Sequence, residues 1–476
     1  MNEIISSASS KATGRTRLLV VIASYGSKNL GLLKQIIDGY QHMSLDVDVM
    51  VVSNDPKDLG PAVNVVVGLP IKNPWSLPFA HKPIFAENLE KYDLFAYSED
   101  DMGVSERNIL AFVDATRQLA TDEIAGFLRY ELDEAGLRSY PDVHAGYHWK
   151  RDSVRRRGEH VIAEFTNEHA AFYVLTKDQL LRAIASGGFV RAPYEGQHDM
   201  LCSAATDPYT SCGFRKVICV SSIGDFTIHH KSNRYAGQVG ASAADFNTQV
   251  DTLIAIAKGA HPVSSLLDIR STFPFGLWAK GYYERPREAL LGLVPSDVKT
   301  VLSVGSGSGE IELTLKNRGL SVTALPLDSI IGSVAAKAGI DVLYGTFDEC
   351  VASLDDRVFD CVVITDLLHL LPNPGQLIEK CSRLVRKSGT LLIGGPNFSS
   401  VKVIVRRVLQ RSGYRALGSF ARGGVQTVGP TALKRALKKS GLRVDAVRWI
   451  PAVTGVSMDG RLGRLRANSW LLRART

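Results

Sequence analysis

Three acids stand side by side at Glu99, Asp100 and Asp101, in the stretch "YDLFAYSEDDMGVSERN". Adjacent carboxylates repel, and each costs free energy if it leaves water unpaired. Side chains alternate along extended backbone, so Glu99 and Asp101 are expected to face one way and Asp100 the other. Two carboxylates aimed at one point suit a hard divalent cation such as Mg²⁺ or Mn²⁺. The plainer reading is a solvated acidic turn or a helix N-terminus collecting negative charge. A second constellation is "VLSVGSGSGEIELTLKNRG", in which Gly305, Gly307 and Gly309 follow an apolar run and precede helical spacing. Glycines there let the backbone approach a ligand closely, at the positive end of the following helix.

The elements that must position these residues are legible as alternating patterns. "RLLVVIAS" is a continuous apolar run, as expected for a parallel strand buried on both faces. Helical spacing follows in "NLGLLKQIIDGYQHM", then strands in "VDVMVVSND" and "YDLFAYS". The second block repeats the alternation with "SVTALPL", "FDCVVIT" and "GTLLIGG". Each series predicts an α/β doubly wound, Rossmann-like parallel sheet, and ligands then bind beyond the carboxyl ends of the strands.

From the glycine turn to "FDCVVITDLLHLLPNPGQLIEKCSRLVRKSGTLLIGGPN", the second block resembles class I S-adenosylmethionine-dependent methyltransferases over roughly residues 280–450. The resemblance assigns the methionine end of S-adenosylmethionine to Gly305, Ser306, Gly307 and Gly309. It assigns the adenine to "YGTFDE" with Asp348, and the segment after the fourth strand to "ITDLLHLLPNP" with Asp366. Two positions depart from the family. Ser303 stands where an acid usually precedes the first glycine, and Pro326 where the ribose-binding acid ends the second strand, leaving Asp328 as its replacement. His369 is a candidate general base for an acceptor hydroxyl, or a histidine that merely packs at the strand end.

Placed after a strand in a nucleotide-binding α/β block, "SEDD" resembles the DxD motif of GT-A glycosyltransferases, over about residues 16–240. The resemblance implies a divalent metal on Glu99, Asp101 and either His229 or His230 of "DFTIHHKSNRY", neutralising charge on a departing diphosphate. It implies nucleotide-sugar contacts from Ser24, Tyr25, Asn54, Asp55, Asp100 and Lys231, with Arg234 near the phosphates. Glu195 and Asp199 of "YEGQHDM" are candidate bases for an acceptor hydroxyl, or members of an ordinary polar loop.

The expected organisation is a disordered lead-in over residues 1–15 and a GT-A-like domain over 16–258. A connector over 259–280 then joins it to a methyltransferase-like domain over 281–476. No apolar run approaches the roughly 18 to 20 residues that span a bilayer, and the polar N-terminus reads as that of a cytoplasmic protein. Cys202, Cys212, Cys219, Cys350, Cys361 and Cys381 show no zinc-type spacing and read as reduced thiols. The net charge of +8 is uneven: residues 380–476 carry 21 Lys and Arg against 2 acids, leaving −11 for residues 1–379. The basic region favours an anionic partner, such as the inner face of a membrane or a phosphate-bearing acceptor, or is a solvated helical face.

These readings combine in a bifunctional enzyme of surface-polysaccharide biosynthesis. It would take a nucleotide-sugar donor, a glycan or lipid-linked glycan acceptor and S-adenosylmethionine. One alternative is a glycosyltransferase with a degenerate, non-catalytic methyltransferase-like module. Another is a single-function methyltransferase of RNA or protein, against which the −11 segment and the absence of a nucleic-acid module argue.

Overall fold

The computed structural model describes residues 15–169, 171–196, 198–269, 278–409, 414, 416–451 and 460–476. The lead-in over residues 1–15 lies outside these save for its last residue, as does part of the expected connector. The chain divides into two compact units, Met1–Glu131 with Glu168–Arg234, and Leu132–Asn167 with Tyr235–Thr476.

In the first unit the apolar run becomes the strand Arg17–Ser24, buried from Leu18 onward. It pairs in parallel with Asp46–Ser53 on one side and Leu94–Glu99 on the other. Asn64–Val67 extends the sheet in parallel, and Phe172–Thr176 closes the opposite edge antiparallel to Leu94–Glu99. Helix Glu106–Thr116 starts at a capping box in which Ser105 and Asn108 satisfy each other's backbone donors. The short strand Thr227–His230 pairs antiparallel with Met102–Gly103, which sets His230 beside the acids.

The second unit is built on seven strands. In spatial order they are Asp341–Val342, Ser321–Pro326, Thr300–Ser306, Phe359–Thr365, Val385–Pro396, Ser469–Arg475 and Arg443–Ile450. The first five run parallel, and the last two are antiparallel additions at one edge. Leu302, Val304, Leu325, Val362, Ile364 and Ile393 form the centre of its core.

The division differs from the expected boundary at residue 258. The hairpin Trp149–Arg157 and His160–Phe165, and the helix Ala243–Ala257, belong to the second unit. The cause is tertiary: the Tyr282 N–H donates to the Ala145 carbonyl at 2.6 Å, and the His148 ring stacks on Tyr282 with centroids 4.2 Å apart. The helix Ala243–Ala257 packs on the helix Ser329–Lys337. Alternating patterns reveal strands and helices, but not which sheet a later insertion joins. The six cysteines are free thiols, as expected. Among the described residues no helix is long and apolar enough to cross a membrane.

Candidate functional site

The glycine turn of the second unit ends the buried strand Thr300–Ser306 and opens the helix Glu310–Asn317. Gly305 has φ +77°. Gly309 has φ +94°, and a Cβ there would stand 2.6 Å from that of Ala335, so only glycine fits. A Cβ on Gly307 would collide with the Tyr282 carbonyl oxygen, which accepts a hydrogen bond from the Ser308 N–H at 2.7 Å. The Ser306 and Ser308 hydroxyls are buried at this turn without a hydrogen-bond partner.

Behind the turn, the Ser303 hydroxyl donates to Glu312 at 2.5 Å. Glu312 is buried, and burial pushes its carboxyl above the ordinary range. The acid missing from the strand is thus matched by one arriving from the following helix. Beside it lies an ion cluster that sequence reasoning missed. Glu284 pairs with Lys280 and, at 3.0 Å, with Arg287, and Arg287 also pairs with Asp366. Lys280 donates to the Thr365 hydroxyl at 3.0 Å. Burial would raise the Asp366 carboxyl, but the Arg287 and Lys280 charges prevail and hold it below the usual range. The signal was present in "YYERPRE", where Glu284 and Arg287 are three residues apart.

Asp328, the expected replacement for the missing ribose acid, is engaged as a helix cap. It caps the helix Ser329–Lys337, accepting from the Ile330 and Ile331 N–H groups at 2.9 Å each, and it is buried. A short carboxylate at the position before a helix turns back onto the first free donors, and that is where this one is spent. Asp348 is exposed and pairs with Lys380 at 2.5 Å. His369 is buried. Its Nε2 lies 2.8 Å from the Trp278 carbonyl, which can only accept, so Nε2 carries the proton and the unpartnered Nδ1 keeps its lone pair. Burial lowers its pKa and keeps the ring neutral.

A segment of the expected connector crosses this region as a strap. The Leu266 N–H donates to the Leu327 carbonyl at 3.1 Å, and the Phe347 N–H donates to the Leu266 carbonyl at 2.9 Å. The Ser329 N–H donates to the Ser264 carbonyl at 3.1 Å. Leu266 is only 2% exposed and packs into the same core as Leu302, Val304 and Leu325. A cavity of about 310 Å³ opens near the hairpin, lined by His148, Arg151, Asp268, Lys280, Tyr282 and Leu370. Another of about 340 Å³ is lined by Leu266, Phe347, Asp348, Gln376 and Lys380. Leu267 and Asp268, on the strap itself, line both.

In the first unit, a cavity of about 380 Å³ opens at the carboxyl end of the parallel strands. Tyr25, Trp75, Glu99, Asp100, Leu201 and Arg234 line it, with Tyr25 and Trp75 half-exposed. Trp75 and Asn29 were not anticipated. Asp100 accepts from the Ser24 hydroxyl at 2.7 Å and the Asn29 amide at 2.8 Å. The expected alternation fails because the strand ends at Glu99. The chain turns there, so Asp100 joins Glu99 on the cavity and Asp101 faces His230.

His230 is held between Asp101, 3.0 Å away, and Glu131, 2.5 Å away. Burial would lower its pKa, but the bond and charge of Asp101 raise it above the ordinary imidazole value. Conversely, burial would raise Asp101, but His230 holds it below the ordinary carboxylate value. Burial, reinforced by the Asp101 charge, pushes Glu99 up to about 7.

His229 leaves the expected metal set: its ring stacks on Tyr130 with centroids 5.0 Å apart, and Nε2 meets Asn233 at 3.0 Å. Neighbouring residues on a strand face opposite ways, so only His230 reaches the acids. No group of three or more His, Cys, Asp or Glu among the described residues is arranged to hold a metal ion. One carboxylate oxygen each of Glu99 and Asp101 is nevertheless buried without a hydrogen-bond partner.

Asn54 accepts from the Gly26 N–H at 2.7 Å and pairs with the exposed Asp55, an arrangement that shapes a turn. The Lys231 N–H donates to the Asp101 carbonyl at 2.8 Å. Asp199 is exposed and caps the helix Met200–Thr210 through the Cys202 N–H at 2.8 Å, and Glu195 is an exposed loop residue. Neither candidate base lines the cavity.

Residues 277–447 match a family model described as a methyltransferase domain. An uncharacterised methyltransferase of Mycobacterium tuberculosis is 33% identical over 120 residues, covering 24% of this chain and 48% of its own. The ubiquinone biosynthesis O-methyltransferase of Xylella fastidiosa is 24% identical over 201 residues, covering 38% of this chain and 80% of its own. A solved methyltransferase from Archaeoglobus fulgidus, described as SAM-dependent, is 17% identical, covering 38% of this chain and 87% of its own at a TM-score of 0.29. The chain spans about half the length of the first of these relatives. The second unit thus carries a class I, Rossmann-like methyltransferase domain, and the family match covers none of the first unit.

Proposed function

We propose that the chain is a two-part glycan-modifying transferase whose second unit methylates an acceptor hydroxyl with S-adenosylmethionine. The observation that carries this reading is the glycine turn. Two buried hydroxyls, Ser306 and Ser308, stand there without partners, a polar cradle suited to the amino-acid end of the cofactor. When bound, the cofactor supplies an electrophilic methyl group. The chain supplies the rest: the Arg287–Asp366 pair fixes the loop after the fourth strand, and the neutral His369 offers Nδ1 as a proton acceptor. The relative named an O-methyltransferase favours oxygen as the accepting atom. The test is tritium transfer from methyl-labelled S-adenosylmethionine to a sugar acceptor, with a His369→Ala control. Label that never leaves the donor would end this reading.

In the same proposal the first unit transfers a sugar from a nucleotide-sugar donor. Its cavity lies beyond the strand ends, where open α/β sheets bind ligands, with two aromatic rings suited to a nucleobase. At this cavity the unpartnered oxygen of Glu99 would be the one open to a divalent cation whose remaining positions a diphosphate would fill, Asp101 being turned to His230. Melting the protein with UDP, GDP, CMP or dTDP, each with Mn²⁺ or EDTA, tests it. A stabilisation that needs metal and is lost in Glu99→Gln supports binding of a nucleotide-sugar donor, and no stabilisation by any of them refutes it.

A second reading is favoured by the strap, which engages both the second-strand end and Phe347. In that reading the methyltransferase-like unit is a closed module that no longer binds cofactor.

A further inference from the structure

The helix Val401–Val408 begins at Ser400, whose hydroxyl accepts from the Val403 N–H at 3.4 Å. Val403 turns inward, into a small core with Leu370, Tyr414, Leu417 and Val425. Val401, Ile404, Val405, Val408 and Leu409 follow at the spacing of a single helical stripe, on the side away from Val403. All five are exposed, Val408 at 74% and Leu409 at 60%. An ordinary surface helix turns its apolar stripe to the core, and this one turns it to solvent.

Charge identifies what fits the stripe. Lys402, Arg406 and Arg407 flank it, and Arg406 reaches the Tyr414 hydroxyl at 3.0 Å. Residues 380–444 around it carry 15 Lys and Arg and no acid. Two copies meeting through this face would bring like charges together, whereas anionic lipid headgroups would neutralise them.

We infer that this face docks on an anionic bilayer, with the five aliphatic side chains entering the headgroup boundary and the flanking cations meeting lipid phosphates. The full chain, spun with vesicles of phosphatidylcholine alone or mixed with phosphatidylglycerol, tests it. The protein pellets with the mixed vesicles and stays in solution with the neutral ones. The pair Ile404→Ser and Val408→Ser weakens pelleting by about tenfold or more, since each buried methylene counts. Because both side chains are exposed, the melting temperature stays where it was. Equal binding to neutral vesicles, no binding to either, or binding indifferent to the pair overturns the inference. So does a vesicle-free dimer that the pair dissociates, which would give the face to a second copy.

Discussion

Leu266→Ala separates a strap that competes with cofactor from one that is merely part of the fold. The leucine is 2% exposed, and its backbone holds both the Leu327 carbonyl and the Phe347 N–H. Truncation leaves those hydrogen bonds possible and removes only the buried side chain. Leu→Ala in a core costs about 2–5 kcal/mol, and the flanking cavities allow relaxation, so about 2–3 kcal/mol is expected here. If the closed strap excludes the cofactor, apparent affinity is the intrinsic affinity scaled by the open fraction. The same 2–3 kcal/mol then raises apparent affinity for S-adenosylhomocysteine by roughly 30- to 150-fold. The two readouts move in opposite directions: calorimetry gives tighter binding while the ligand-free melting temperature falls. Affinity that is unchanged, or weaker in step with stability, refutes the competition and makes Leu266 an ordinary core residue.

Three further outcomes follow from the geometry. His230, raised, contributes stability that is fully present below the ordinary imidazole pKa of about 6.5 and lost as pH rises through its folded value; Glu99, also raised, contributes stability present below the ordinary carboxylate pKa of about 4.3 and lost as pH rises from there to about 7. Asp101, depressed, contributes stability present above the ordinary carboxylate pKa and lost as pH falls through its folded value. Denaturant midpoints should therefore drop as pH rises from the ordinary carboxylate range to about 7, and further through the folded value of His230, and Glu99→Gln should flatten the part below about pH 7; a wild-type profile level across the range contradicts the cluster. Asp199→Ala removes a helix cap and should cost about 1 kcal/mol of stability with sugar transfer retained. Loss of turnover without loss of stability would restore it as a base. Ser303→Ala leaves the buried Glu312 without its donor and should cost about 1–3 kcal/mol by equilibrium unfolding. A neutral effect would mean the bond contributes nothing.

Much of the fold was legible because burial on both faces leaves a local mark. "RLLVVIAS" and "FDCVVIT" read as central parallel strands and are so, and the glycine turn sits where its spacing placed it. What was illegible depends on distant partners. Nothing in residues 132–167 announces that His148, just before their hairpin, stacks on Tyr282. The strap works through backbone groups of Leu266, which carry no sequence signature, so the stretch read only as a connector. The pair His229–His230 was ambiguous until pairing with Met102–Gly103 fixed which ring faced the acids. Asp328 and Asp199 both stand just before a helix and cap it, a role their sequence context did not separate from ligand binding.

The most direct test of the account is calorimetric titration of the full chain with S-adenosylhomocysteine, alongside its melting curve. The account predicts saturable binding and, at about one hundred times the dissociation constant, roughly 2.7 kcal/mol of added stability. Absence of binding heat and of any melting shift, in both the native chain and Leu266→Ala, would contradict it and leave a methyltransferase fold without its cofactor.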